Sequence, residues 1–181
     1  MIHESKLIAT IKLQVLDWDI VQEDVLSHNK LNRSSDYTSH RVFKELKKRL
    51  SCLSEAELQF LVNTDHNSAK AMCFLACLRA YSFILEFCTE VILNKREELK
   101  THLSDKDFNE FYEQVALVDS ELASKKESSR YKVKQVLFRI LEDAEWIDNM
   151  KNKMLQVPFV SMDVRQFIMN EPKIIHKCFG L

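Results

Sequence analysis

Apolar residues recur at helical spacing along most of this chain. Leu7, Ile8, Ile11 and Val15 form an i, i+4 stripe that predicts a first helix over Leu7–Leu16. A second is predicted over Asp19–Ser27, with Ile20, Val25 and Leu26 turned inward, followed by a polar loop from Asn29 to Arg33. Ser34, Ser35 and Asp36 are N-cap residues for a third helix reaching Leu50. On its wheel Ser39, Val42, Phe43, Leu46 and Leu50 share one face, and Tyr37, Arg41, Lys44 and Lys48 the other.

Ser54 with Glu57 three residues later has the capping-box spacing and opens a short helix to Val62. From Asn67 or Ser68 to about Asn94 the chain is apolar almost all round, which predicts one long helix buried on several sides. Ser104 caps a helix over Asp105–Gln114, and a short helix is expected over Ser120–Ser124. Ser128 or Ser129 opens another, to Asp148, with Val133, Val136, Leu137, Ile140, Leu141, Ala144 and Ile147 as its inner stripe. The segment Met154-Leu-Gln-Val-Pro-Phe-Val is short and Pro-interrupted, consistent with an edge hairpin near residues 154–162. Asp163–Asn170 reads as a last short helix.

Composition agrees with an all-α fold. Gly180 is the only glycine, and Pro158 and Pro172 the only prolines, among 181 residues. A Gly-rich phosphate loop, a dinucleotide fingerprint or a nucleophile elbow would each need glycines that are absent here. Three sections are expected: 1–52, an N-terminal helix-turn-helix-like unit; 53–101, a central helical core; and 102–181, a second, winged unit of the same kind. The N-terminus lacks the pattern of a secretion signal, and Arg79, Glu86 and Glu90 interrupt the most apolar run, 71–93. A cytoplasmic protein with no membrane partner is therefore expected. Cys52, Cys73, Cys77, Cys88 and Cys178 are odd in number and form no CxxC pair, which suits reduced thiols. Cys73 and Cys77, one helical turn apart with His66 upstream, are better read as core residues than as metal ligands.

Charge distribution adds the functional signal. Net charge is −1, yet residues 30–50 hold seven Lys or Arg against two acids, and residues 125–139 hold six against one. Residues 54–124 between them hold six basic and thirteen acidic groups. Two basic helices on an acidic body point to a polyanion met at two places. Each basic helix follows a short helix and a polar turn, the order in which a helix-turn-helix presents its second helix to the major groove. The candidate DNA-binding residues are Ser35, Tyr37, Arg41, Lys44, Lys47 and Lys48, then Lys125, Lys126, Ser128, Arg130, Tyr131, Lys132, Lys134, Gln135 and Arg139. Solvated faces and amphipathic helix pairs are also common in helical proteins, and a net charge near zero does not favour strong non-specific DNA binding. The six histidines are scattered without metal spacing or a nucleophile partner, so no catalytic site, metal or cofactor is expected.

The run Ser35–Leu50, then "LSCLSEAELQFLV" (Leu50–Val62), "FLACLRAYSFILEFCTEVI" (Phe74–Ile92), "LSDKDFNEFYEQ" (Leu103–Gln114) and "SSRYKVKQVLFRILEDAEWID" (Ser128–Asp148) occur in this order. The order resembles the BrxA family, small components of bacterial BREX (bacteriophage exclusion) defence systems. The resemblance extends from Ser34 to Ile168 and rests on helix-face patterns rather than on a catalytic signature. It implies a NusB-like helical core, helix-turn-helix-like regions that bind double-stranded DNA, and a role in phage resistance beside other BREX components. The matching basic segments are Arg41, Lys44, Lys47 and Lys48, then Arg130, Lys132, Lys134 and Arg139. Ser129 stands where the family commonly has Thr. A protein-interaction adaptor and a NusB-like RNA binder are the alternative expectations.

Overall fold

Serine and aspartate caps set six of the twelve α-helix starts. In the computed structural model, which describes residues 1–181, the chain forms α1 (Ile2–Val15), α2 (Trp18–Ser27), α3 (Asp36–Leu50), α4 (Glu55–Asn63), α5 (His66–Ala80) and α6 (Ser82–Phe87). A π-helical stretch, Cys88–Leu93, continues into α7 (Asn94–Glu97). Then come α8 (Asp105–Ala116), α9 (Ser120–Ala123), α10 (Glu127–Asp143), α11 (Met162–Ile168) and α12 (Lys173–Lys177). The fold is all-α. Ser35 Oγ accepts from the Thr38 amide, and both Ser54/Glu57 and Ser104/Asp107 close capping boxes. Asp65 caps α5 by accepting from the Asn67 and Ser68 amides.

The chain divides into two compact units, Met1–Tyr81 with Val160–Phe167, and Ser82–Phe159 with Ile168–Leu181. In the first, α1 packs against α2, α3, α4 and α5. Ile8, Val21, Val25, Phe43, Leu46, Leu61, Met72 and Leu75 fill its core. Buried Glu57 receives both terminal nitrogens of Arg79, at 2.9 and 2.6 Å, and the Ser54 amide at 2.7 Å. The second unit has an aromatic core. Phe83 and Phe87 meet Phe111 edge-on at 5.1 and 5.2 Å, and Phe108, Phe138 and fully buried Trp146 lie among the same core residues.

Three expectations are corrected. The long helix predicted from Asn67 to Asn94 breaks at Tyr81, whose backbone is extended (φ −138°, ψ 102°). The Tyr81 hydroxyl donates to Glu45 at 2.5 Å and Lys48 lies 4.2 Å over its ring, so contacts to α3 hold the residue out of helical geometry. The hairpin near 154–162 is absent. Met154 and Leu155 instead form isolated antiparallel bridges to His102 and Ile147, and beyond them Pro158 has no N–H to continue a ladder. Ile20 and Val136, placed inward by the helical wheel, are 51% and 54% exposed. No single helix is long and apolar enough to cross a membrane.

Candidate nucleic-acid interface

The α3 helix builds the first basic surface. Its inner face buries Ser39, Phe43, Leu46 and Leu50, which fixes the rotation of the helix and turns Tyr37, His40, Arg41, Lys44 and Lys48 to solvent. Tyr37, Arg41, Lys44 and Lys48 follow one another at i, i+4, i+7 and i+11, a single stripe along the helix. Arg41 and Lys44 have no carboxylate partner, whereas Lys48 lies 4.2 Å over the Tyr81 ring and its charge acts on Glu45. Lys47 leans towards Asp19 at 3.4 Å. The three cations in the last turn, Lys47, Lys48 and Arg49, also suit the negative end of the helix dipole.

Beneath this stripe a polar cluster locks the helix surface. Arg49 donates to Glu45 at 2.7 Å, and Glu45 also accepts from Tyr81. Burial opposes ionisation of Glu45, but the Tyr81 and Arg49 hydrogen bonds outweigh it and lower its pKa. Burial and the Glu45 hydrogen bond push the Tyr81 phenol up to about 12. Arg49 stays fully protonated.

The amino end of α3 has a different character. Ser35 is occupied with capping, since it accepts from the Thr38 amide at 3.3 Å and donates to Thr38 Oγ1 at 2.9 Å. Asp36 lies in the first turn. An open groove of about 510 Å³ there is lined by Asp19, Glu23, Asp36 and His40. Cationic character is therefore concentrated on the middle and carboxyl end of α3.

On α10 the cations divide between two directions. Arg130 donates to the Asn109 carbonyl and to Glu113, each at 3.0 Å, and its guanidinium lies 4.7 Å over the Tyr112 ring. Lys134 pairs with Asp105 at 2.7 Å. The hydrogen bond from Lys134 is the largest influence lowering the pKa of Asp105, which Lys153 also contacts. Lys125 pairs with Glu121 at 2.7 Å. Ser128, Tyr131, Lys132, Gln135 and Arg139 are exposed, as is Lys126 just before the helix. Arg139 reaches Glu142 at 2.8 Å but stays 62% exposed, and Lys126 and Lys132 have no carboxylate partner. Exposed ion pairs of this kind contribute about 0–1 kcal/mol and exchange readily for a phosphate.

Both basic helices are legible in the sequence, but the partners that turn Arg130 and Lys134 towards α8 are not. Glu121–Lys125 and Glu45–Arg49 have i, i+4 spacing and are legible in the sequence. Asp105 and Glu113 are tertiary partners without a local signal. No three His, Cys, Asp or Glu side chains gather in a geometry that could hold a metal ion. Burial pushes the Cys73 thiol up.

Comparison with known proteins adds family and fold. A family model described as BrxA matches residues 1–171. The chain is 28% identical over 149 residues to the BREX protein BrxA of Bacillus cereus (strain H3081.97), an alignment covering 82% of this chain and 74% of that protein. It is 26% identical over 160 residues to the BREX protein BrxA of Escherichia coli O9:H4 (strain HS), covering 88% and 75%. A crystal structure of an uncharacterized protein from Magnetospirillum magneticum superimposes with a TM-score of 0.87 at 19% identity, over 99% of this chain and 92% of that one. That likeness establishes the fold.

Proposed function

The chain belongs to the BrxA family, and from that premise we propose that it is a non-enzymatic, duplex-DNA-binding component of a BREX-type phage-defence system. One observation carries the DNA reading. Arg41 and Lys44, which have no carboxylate partner, line up with Tyr37 and Lys48 along the solvent face of α3. Cations in such a row meet successive phosphates, and Tyr37 is suited to a sugar or base edge. The exposed set Lys126, Ser128, Lys132, Gln135 and Arg139 on and before α10 is the second contact surface, with Lys and Arg on phosphates and Gln135 able to reach a base edge. Lys47 and Lys125 release weak surface pairs to join them, whereas Arg130 and Lys134 hold α10 against α8.

The protein works in the cytoplasm beside other BREX components, a setting in which its five cysteine thiols remain reduced. A gel-shift titration with labelled duplex tests the reading. Duplex should bind more weakly as salt rises, and unlabelled duplex should compete better than single-stranded RNA. Preferential competition by the RNA would replace this reading with the RNA-binding one, and salt-independent binding would remove the phosphate contacts.

A further inference from the structure

The break after α5 delivers an aromatic ring to the carboxyl end of the basic stripe on α3. Tyr81 has extended backbone, and its half-buried ring takes Lys48 Nζ at 4.2 Å and the Arg49 guanidinium at 5.6 Å. Its hydroxyl donates to Glu45 Oε1 at 2.5 Å, and Arg49 Nη2 donates to the same oxygen at 2.7 Å. Glu45 is the one acid of α3 beyond the first turn.

Glu45 precedes Lys48 by three residues, a spacing at which a carboxylate and an ammonium are neighbours on a helix and pair readily. Here they do not pair. The Lys48 charge acts on Glu45 more weakly than the Tyr81 and Arg49 hydrogen bonds do, and Lys48 Nζ makes no ion pair. A cation over an aromatic ring is attracted without being neutralised, whereas a contact with a carboxylate would cancel its charge. Lys48 is exposed, so its ammonium remains presented to solvent.

We propose that Tyr81 is a positioning residue of the DNA surface: with Arg49 it holds the Glu45 carboxylate, so that the Lys48 ammonium stays available to a phosphate. The inference rests on the DNA reading of α3 and deepens it, because a side chain outside the stripe then sets how many of its cations work. Tyr81→Phe keeps the ring beneath Lys48 and removes only the hydroxyl. Glu45 then loses one of its two donors, and Lys48 is the neighbouring cation that replaces it.

Duplex titration of the full chain at two salt concentrations tests this with the wild type, Tyr81→Phe, Glu45→Gln and the double variant. Tyr81→Phe should bind about fivefold more weakly at low salt, with a salt slope smaller by about one, because one phosphate contact is lost. In the Glu45→Gln background the same substitution should change neither, since no carboxylate is left to capture Lys48. A loss of equal size in both backgrounds would mark a merely structural role for the hydroxyl and overturn the proposal. In a crystal structure of Tyr81→Phe, the Glu45 carboxylate should lie within about 4 Å of Lys48 Nζ. A carboxylate still turned away from Lys48 would also overturn it. A wild type that binds no duplex removes the DNA reading and this inference with it, whereas wild-type binding that does not respond to Tyr81→Phe removes the Tyr81 role alone.

Discussion

Arg130 is stacked 4.7 Å over the ring of Tyr112, with Nη2 donating to the Asn109 carbonyl, so this cation is spent on joining α10 to α8. The contrast with Arg41, solvent-facing and unpaired on α3, gives the first prediction. Arg41→Ala should weaken duplex binding about tenfold and reduce the salt slope by about one. Arg130→Ala should leave affinity within about twofold while destabilising the fold by about 1 kcal/mol. Anisotropy titrations at two salt concentrations and urea melts of both variants check the split.

Glu57 and Arg79 form a second decisive pair. Burial disfavours the charged carboxylate, but the Arg79 hydrogen bonds and the Ser54 amide more than offset this and lower its pKa. A carboxylate lowered on folding contributes stability that is fully present above its unfolded pKa of about 4.3. That contribution is lost as pH falls through the lower folded value. Glu57→Gln, which removes the buried carboxylate that accepts from Arg79 and from the Ser54 amide, should cost about 3 kcal/mol at pH 7. The wild type should also lose more stability than the variant between pH 6 and pH 3, as measured by urea unfolding.

Asp65 extends the same acid sensitivity to the start of α5. Its hydrogen bonds with the Ser68 side chain and amide, with a further one from the Asn67 amide, hold its pKa at about 2. Asp65→Ala should lower the melting temperature at pH 7, and the difference from wild type should shrink as pH falls towards 2.

Leu99 ends the helical segment at φ 57° with its side chain 87% exposed. A branched side chain in the left-handed region costs about 1 kcal/mol relative to glycine, which caps helices there without strain. Leu99→Gly should therefore raise the melting temperature by about 2–4 °C.

Capping made much of this fold legible beforehand. Ser35, Ser54–Glu57 and Ser104–Asp107 marked the starts of α3, α4 and α8 because short polar side chains before apolar stripes have few other uses. The break at Tyr81 was not legible, because both flanking segments are apolar all round and the cause, Glu45, lies 36 residues away. Ile20 and Val136 were misplaced because a wheel assumes that every apolar residue on the inner side finds a neighbour. The stripe on α3 was readable from periodicity alone. The division of cations on α10 was not, since it depends on where Asp105 and Glu113 come to rest.

The most direct measurement is fluorescence anisotropy of a labelled duplex with the wild type and with Arg41→Glu/Lys44→Glu, both sites being exposed and away from the core. The double reversal should weaken binding by about 100-fold or more at low salt, with unchanged circular dichroism and melting temperature. Duplex affinity equal to that of the wild type would contradict the proposed DNA surface.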